Sequence, residues 1–297
     1  MRRAISAGEV RAEVLVEALP YIQRFRGAVV VVKYGGNAMV DAELARAVAA
    51  DLVLLRAVGL RPVVVHGGGP QISDLMERLG KQPEFRDGLR VTDAETVDIA
   101  RMVLVGKVNR DIVSAINVHG PLAVGISGED AGLILASARH PGLGFVGEVA
   151  AVNPGIVHKL LAEDLIPVVS TIGSDAEGQA YNINADTVAG AVAAALGAEK
   201  AIFLTDIAGL LLDVDDPESL VSRIDATELD AMIGSGRLSG GMIPKVAAAA
   251  DAVRHGVGSA HLLDGRIPHV LLLELFSDEG AGTMITDGEG HLEGVGA

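Results

Sequence analysis

The sequence predicts an α/β fold in which helices cover both faces of one mainly parallel sheet, giving a three-layer α-β-α sandwich. Short runs of β-branched and other apolar residues recur along the chain, and helical patterns separate most of them. The first run, from Ala28 to Val32, is continuously apolar, which is typical of a strand buried on both faces. Such sheets bind ligands at the carboxyl ends of their strands.

The first elements can be assigned in chain order. Apolar residues recur at helical spacing from Val10 to Phe25, and Pro20 is expected to kink or divide that helix. After the first strand, a helix over 41–58 is predicted. The remaining predicted elements are a strand over 62–65, a helix over 70–79, strands over 122–126, 166–169 and 201–204, and a helix over 187–196.

Between Ile134 and Val152 the pattern changes to short apolar runs interrupted by glycine and proline, which predicts a hairpin. A G-x-G-x-x-G match, Gly142 to Gly147, lies in this segment. It follows Pro141 and leads into a strand-like run, whereas a dinucleotide-binding fingerprint requires a strand before it and a helix after it. Turn glycines are therefore the better interpretation, and the P-loop pattern does not occur in the chain.

Composition excludes several classes of function. The chain has 297 residues, of which 3% are aromatic, and a net charge of −15, so binding to a nucleic-acid backbone is not expected. The absence of cysteine excludes disulfides, thiolate metal sites and a cysteine nucleophile. No secretion signal is expected, because charged residues follow the first few positions, and no apolar run reaches membrane-spanning length. The expected location is the cytoplasm.

Glycine turns follow the first two predicted strands. Lys33 comes directly after the first strand and precedes Gly35 and Gly36. The next strand ends in His66-Gly67-Gly68-Gly69-Pro70, where exposed amides and a helix amino end can bind an anion. A tight β-α turn is the alternative interpretation of this segment, and His66 by itself is interpreted as structural.

Two further segments carry charged residues beside turns. Lys245 lies in the first turn of an alanine-rich helix after Gly240 and Gly241, where a cation is unfavourable to the helix dipole and an anionic partner is indicated. Asn184 or Asp186 is predicted to cap the helix that follows. A carboxylate between two lysines would also keep both of them charged.

Arg90, which Gly88 and Leu89 precede, is suited to bidentate binding of a carboxylate, and Thr92 or Asp93 can cap the next helix. Taken together, the motifs resemble those of the acetylglutamate kinases, which are members of the amino acid kinase family. The resemblance covers nearly the whole chain and rests on Lys33–Gly36, His66–Gly69, Gly88–Thr92, Tyr181–Asp186 and Gly241–Lys245.

The resemblance implies an amino acid kinase-like fold with an extra N-terminal helix. It also implies transfer of the γ-phosphoryl group of ATP to the side-chain carboxylate of N-acetyl-L-glutamate, a step of arginine biosynthesis. Lys33 and Lys245 would stabilise the transition state, and Asp186 would orient them. The implied acetylglutamate site is Gly36, Gly68, Gly69, Arg90 and Asn182, and the implied ATP site is Thr205, Asp206, Gly209, Gly240 and Gly241.

This assignment is chemically consistent, because a carboxylate acceptor is already ionised near neutral pH and needs no general base. Mg²⁺ should accompany ATP and be bound mainly through phosphate oxygens and water, so no side-chain metal site is expected. The expected division is an N-terminal kinked helix over 1–27, an acetylglutamate-binding lobe over 28–172 and an ATP-binding lobe over 173–297, within one continuous domain.

The N-terminal helix and a segment near the end of the chain resemble the arginine-sensitive members of the family. Those enzymes are feedback-inhibited hexamers, trimers of dimers joined by the extra helices. The resemblance implies an arginine site formed by Tyr21, His261, Glu274 and Gly280. An ordinary packing helix and a core histidine are the alternative interpretations.

The same motifs are compatible with other functions. A related kinase could act on aspartate, on an aminoadipate-type carboxylate or on carbamate, and a protein of a different class could sense nucleotide or arginine without turnover. The segment Gly88–Thr92 favours acetylglutamate as the acceptor, and an appended regulatory domain of the kind found in aspartate kinases is not expected.

Overall fold

The computed structural model describes residues 13–39, 41–86, 88–213, 216–238, 242–278 and 280–288. A central sheet of eight strands organises this part of the chain. From one edge to the other, with labels in chain order, its strands are β12 (Arg223–Asp225), β14 (Gly282–Thr286), β13 (Ser259–Asp264), β11 (Lys200–Thr205), β1 (Val29–Tyr34), β2 (Arg61–His66), β8 (Ile166–Ser170) and β5 (Ala123–Ser127).

The sheet is parallel from β5 through β8, β2, β1 and β11 to β13, and β14 then pairs antiparallel with β13. Strands from residues 29–170 form one half of the sheet, and strands from 200–286 form the other. Because β1 pairs with β2 on one side and with β11 on the other, it joins the two halves. The predicted division of the chain at 172/173 stays a prediction.

The first strand differs from its prediction at its carboxyl end. It was expected to end at Val32, but Lys33 pairs with Val65 and with Phe203, and Tyr34 pairs with His66. Lys33 therefore lies within β1 and not in the turn after it. Pairing on both sides extends the strand beyond its apolar run.

The predicted hairpin is confirmed by an antiparallel pair, β6 (Ile134–Ala138) and β7 (Val146–Val152). These strands form a closed group of four with β9 (Ile172–Ser174) and β10 (Ala180–Ile183). Gly144 has φ +68°, and a Cβ there would lie 2.3 Å from the carbonyl oxygen of Thr92, so the glycine run is a tight turn. A two-stranded ribbon, β3 (Phe85–Arg86) and β4 (Leu89–Arg90), was not predicted.

Helices lie on both faces of the central sheet. Alternate residues of the central strands enter two different apolar cores: Val30 and Val32 face one core, and Val31 faces the other. The three-layer sandwich is therefore confirmed. The helices are α1 (Leu19–Phe25), α2 (Ala42–Ala57), α3 (Gly69–Arg78), α4 (Ala94–Arg101), α5 (Asn109–Asn117), α6 (Gly155–Ala162), α7 (Ala185–Ala195), α8 (Ala226–Gly234), α9 (Met242–Arg254) and α10 (Val270–Phe276).

The N-terminal helix is divided near Pro20, as its sequence predicts. Residues 13–17 are helical, Ala18 lies in a turn, and α1 begins at Leu19 with Pro20 in its first positions. The part of the predicted helix before residue 13 lies outside the described residues. Within the ranges given above, none of the helices is both long and apolar enough to cross a membrane.

The packing of α2 predicts a contrast between two adjacent leucines. Leu55 is completely buried, whereas 42% of Leu54 is exposed. Leu55→Ala should lower the free energy of unfolding by about 2–5 kcal/mol, because it leaves a cavity in the core. The matched control Leu54→Ala should change it by no more than about 0.5 kcal/mol. Urea unfolding of both variants tests this, and equal losses would contradict the packing of α2.

Candidate active site

The carboxyl ends of β1 and β2 meet the amino ends of α7 and α9 around a cavity of about 320 Å³. The cavity brings together residues that are far apart in the sequence. Eight residues predicted from the sequence line it: Lys33, Gly36, Gly68, Gly69, Arg90, Asn182, Asp186 and Lys245. Their individual roles stay predictions.

The carboxylate of Asp186 lies between two lysines. Its Oδ1 is 2.9 Å from Lys33 Nζ, and its Oδ2 is 3.7 Å from Lys245 Nζ. Burial by itself would raise the pKa of Asp186, but the two ammonium groups outweigh it and hold that pKa below its usual range. Two positive charges thus face one negative charge, and the excess positive charge is available to an anionic ligand.

Local structure explains how Asp186 reaches this position. Asn184 caps α7, and its Oδ1 accepts hydrogen bonds from the backbone N–H groups of Asp186 (2.8 Å) and Thr187 (3.1 Å). Of the two caps that the sequence allows, the structure thus has Asn184. Asp186 is then free to point into the cavity from the first turn, where the helix dipole favours a carboxylate.

The glycine turns allow close approaches that a side chain would block. The Lys33 ammonium lies over Gly35, where a Cβ would be 3.1 Å from Nζ. Gly68 precedes α3, and a Cβ there would lie 2.7 Å from Leu104 Cδ2. Gly36 has φ +70°, and a Cβ there would lie 2.6 Å from Asp206 Oδ1. The turn at Gly36 therefore contacts the predicted ATP-binding turn.

Arg90 also lines the cavity and is held in place by neighbouring residues. Its Nη2 donates hydrogen bonds to the Gly69 carbonyl and to Ser73 Oγ, both at 2.8 Å, and its guanidinium lies 4.8 Å from the centre of the Phe85 ring. Burial lowers the pKa of Arg90. These partners are all neutral, so the guanidinium keeps its charge for an anion in the cavity.

The predicted ATP-binding turn follows β11. Thr205 Oγ1 accepts a hydrogen bond from Ile207 N and donates one to Ile207 O, which closes the turn. Gly209 has φ +145°, and a Cβ there would lie 2.7 Å from Thr283 Oγ1. Together with Asp206 beside Gly36, this places the described part of the turn at the same edge of the sheet as the cavity. The predicted residues Gly240 and Gly241 lie outside the described residues.

The four residues predicted to bind arginine converge around α10. His261 Nδ1 lies 2.6 Å from Glu274 Oε1, and Glu274 Oε2 accepts a hydrogen bond from Ala281 N at 2.8 Å. A Cβ on Gly280 would lie 3.5 Å from Glu274 Oε2. Tyr21 Oη, from α1, donates a hydrogen bond to Asp278. Their role as an arginine site stays a prediction.

Sequence reasoning missed Lys200 in this cluster. Its Nζ lies 2.9 Å from His261 Nε2 and 5.4 Å from the centre of the Phe25 ring of α1. Burial lowers the pKa of Lys200 to about 8. The available signal was a lysine directly before the apolar run from Ala201 to Leu204.

The sequence also did not predict two apolar residues that line the cavity, Phe85 and Leu104. Leu104 belongs to a π-helical segment, Met102–Val108, between α4 and α5. Neither residue lies in a recognisable motif. Their approach to the cavity depends on tertiary packing that a single sequence does not reveal.

Comparisons with known proteins give consistent results. The model of the amino acid kinase family matches residues 28–264. Acetylglutamate kinase from Nostoc sp. is 56% identical over 280 residues, which cover 94% of each chain. Acetylglutamate kinase from Saccharopolyspora erythraea is 56% identical over 288 residues, which cover 95% of this chain and 94% of that relative.

Solved structures show the same fold. N-acetylglutamate synthase from Neisseria gonorrhoeae, complexed with coenzyme A and N-acetyl-glutamate, has a TM-score of 0.81 and 25% identity, covering 93% of this chain and 63% of that chain. Carbamate kinase from Giardia lamblia bound to AMP-PNP has a TM-score of 0.65 and 18% identity, covering 88% of this chain and 98% of that chain. The similarity to carbamate kinase concerns the fold alone.

The buried ion cluster leads to a stability prediction. Asp186→Asn leaves Lys33 buried without its counter-charge and should lower the free energy of unfolding at pH 7 by about 3–5 kcal/mol. Adding Lys33→Met should recover most of that loss, because it removes the unpaired charge. Urea unfolding of the two variants measures both effects, and equal destabilisation in both would contradict the ion pair.

The same variant has an expected pH dependence. Since the pKa of Asp186 is lower in the folded state, its contribution to stability is complete above the ordinary carboxylate pKa of about 4 and is lost as the pH falls through the lowered value. The difference in stability between the wild-type chain and Asp186→Asn should therefore shrink on acidification.

Proposed function

The chain belongs to the amino acid kinase family and, within it, to the acetylglutamate kinases; from this premise we propose that it transfers the γ-phosphoryl group of ATP to the side-chain carboxylate of N-acetyl-L-glutamate. The product is an acyl phosphate of arginine biosynthesis. The observation that carries the proposal is the cluster of Lys33, Asp186 and Lys245, which lines one cavity together with the glycine turns and Arg90. The family membership confirms the resemblance that the sequence motifs indicated.

In the proposed reaction, Arg90 and Asn182 bind the acetylglutamate. The acceptor carboxylate is ionised near neutral pH and attacks without a general base. Lys33 and Lys245 stabilise the charge that develops on the transferring group, and Asp186 keeps them oriented. The backbone N–H groups of the turns at Gly36, Gly68 and Gly69 add hydrogen bonds to the same group.

On the nucleotide side, Thr205, Asp206 and Gly209 are proposed to bind ATP together with Gly240 and Gly241. Among the described residues no group of three or more metal-ligating side chains occurs, and both oxygens of the Asp186 carboxylate face lysines. Mg²⁺ is proposed to arrive with ATP and to be bound mainly by phosphate oxygens and water. The ion would neutralise phosphate charge, while the protein positions the two reactants.

The two proposed substrate-binding lobes correspond to the two halves of the central sheet. Residues 28–172 supply the Gly68 turn and Arg90 and are proposed to form the acetylglutamate lobe. Residues 173–297 supply the turn after β11 and are proposed to form the ATP lobe, and they also contribute Asn182 to the acetylglutamate site. Lys33 belongs to the first lobe and Asp186 to the second, so the ion pair between them joins the two lobes at the reacting groups. The ion pair of Lys245 with Asp186 lies within the second lobe.

Removal of Lys245 tests the proposal. Lys245→Ala should lower kcat by about 10²–10³-fold with little change in acetylglutamate affinity, because the ammonium acts in the transition state. The matched control Lys107→Ala removes a lysine whose side chain is 62% exposed, and it should leave kcat unchanged.

The assay is release of ADP from ATP with and without N-acetyl-L-glutamate, and with aspartate, aminoadipate or carbamate in its place. ADP release that does not depend on acetylglutamate, or that prefers another acceptor, would contradict the proposed substrate. Wild-type kcat in Lys245→Ala would remove Lys245 from the mechanism.

We also propose that the enzyme is a hexamer, a trimer of dimers, inhibited by L-arginine at the cluster of Tyr21, His261, Glu274 and Gly280. The side chain of Glu274 is only 9% exposed, and its carboxylate can pair with a guanidinium. In the N-terminal helix, Leu15 is 70% and Val16 68% exposed, which leaves an apolar surface that a second copy of the helix would cover. A cytoplasmic location remains a prediction from the sequence.

A substitution on this apolar surface tests the regulatory proposal. Leu15→Glu should reduce the mass measured by analytical ultracentrifugation and weaken inhibition by arginine, while acetylglutamate-dependent turnover without arginine stays near wild type. Glu13→Gln is the control, because it changes an exposed residue of the same helix without adding a charge to the apolar surface. A wild-type chain that is insensitive to millimolar arginine would contradict the proposed inhibition.

A further inference from the structure

A buried polar relay lies behind the glycine turn at the end of β2. His66, the last residue of that strand, is fully buried, and so is Asn109, the first residue of α5. His66 Nδ1 is 2.9 Å from the carbonyl oxygen of Gly67, and His66 Nε2 is 3.1 Å from Asn109 Nδ2. Neither side chain lines the cavity, so neither contacts the reacting groups in the proposed mechanism.

The partners of His66 determine its tautomer. A carbonyl oxygen can only accept a hydrogen bond, so Nδ1 carries the proton and donates to Gly67. Nε2 is then the acceptor for the amide of Asn109. Burial lowers the pKa of His66 to about 4, so the ring is neutral near pH 7 and both hydrogen bonds persist.

Asn109 is fixed in turn by its own partners. Its Nδ2 also donates to the Val168 carbonyl at 2.8 Å, and its Oδ1 accepts a hydrogen bond from Arg110 Nη2. A Cβ on Gly125 in β5 would lie 1.8 Å from both Asn109 Oδ1 and Arg110 Nη2, so the glycine makes room for this contact. The amide of Asn109 therefore has partners for both of its N–H groups and for its oxygen.

The relay determines which way one peptide faces. In a trans peptide the N–H points opposite to the C=O. Because His66 holds the Gly67 carbonyl on the buried side, the N–H of Gly68 is directed away from it, and Gly68 lines the cavity. Leu104 and Val108 of the π-helical segment pack close to Gly68. A Cβ on Gly68 would lie 2.7 Å from Leu104 Cδ2 and 3.1 Å from Val108 Cγ2.

We propose that His66 and Asn109 are positioning residues, which fix the Gly67–Gly68 peptide so that the Gly68 N–H faces the phosphoryl group during transfer. The inference rests on the proposed function of the Gly68 amide. Glycine restricts its backbone less than any other residue, so a Gly-Gly peptide without this restraint can rotate. Rotation would replace a hydrogen-bond donor with a carbonyl oxygen and lose preorganised stabilisation of the transition state.

Two substitutions of His66 separate positioning from packing. An asparagine side chain carries its amide near the place of Nδ1, from which it can still donate to Gly67. A glutamine side chain carries its amide near the place of Nε2, where it meets Asn109 but leaves the Gly67 carbonyl unrestrained. His66→Gln should therefore lower kcat by about 10²-fold with little change in either KM, whereas His66→Asn should recover most of that loss.

Ligand binding provides a readout that does not depend on turnover. MgADP with aluminium fluoride and N-acetyl-L-glutamate imitates the transferring phosphoryl group, whereas MgADP alone does not. In His66→Gln, calorimetry should show affinity for the aluminium fluoride complex lowered by about 10²-fold and affinity for MgADP unchanged. Thermal unfolding of both variants provides the control for folding.

The possible outcomes distinguish the positioning role of His66 from the proposed function. Equal losses of kcat and of aluminium fluoride affinity in the two variants, or wild-type values in His66→Gln, would overturn the positioning role while leaving the proposed function intact. A wild-type chain that shows no acetylglutamate-dependent release of ADP would instead contradict the proposed function, and with it the role of the relay.

Discussion

The rest of the site depends on one buried carboxylate, that of Asp186, which faces two ammonium groups. Lys33 comes from the central strand β1, Lys245 from the first turn of α9, and Asp186 from the first turn of α7. Without this negative charge, two lysines could not approach each other in a largely buried place. Their shared counter-ion thus sets the relative positions of a sheet edge and two helix amino ends, and the glycine turns and Arg90 complete the cavity around them.

Much of this arrangement could be predicted from the sequence, because the determining signals are local. The β-α alternation gives the three layers, the interrupted pattern between Ile134 and Val152 gives the hairpin, and Asn184 gives the cap that presents Asp186. The bounds of β1 could not be predicted in the same way. Lys33 is part of the strand because β2 and β11 pair with it on both sides, and strand pairing is a tertiary property.

The residues that were missed share one physical reason. Lys200, Asn109 and Leu104 acquire their significance from partners distant in the sequence, namely His261, His66 and Gly68. A buried polar side chain is tolerated where its hydrogen bonds are satisfied. Which partner satisfies it is decided by packing, and Leu104 reaches Gly68 through a π-helical segment that no local pattern indicated.

The central claim is that Asp186 acts through the lysines and not by a chemical step of its own. It is tested most directly by the single-turnover rate of phosphoryl transfer from ATP to N-acetyl-L-glutamate in Asp186→Asn, Lys33→Met and the double variant. If Asp186 acts through the lysines, Asp186→Asn should lower the single-turnover rate by a factor that is about tenfold or more smaller when Lys33 is already methionine. An equal cost in both backgrounds would show that Asp186 acts independently of Lys33 and would contradict the account.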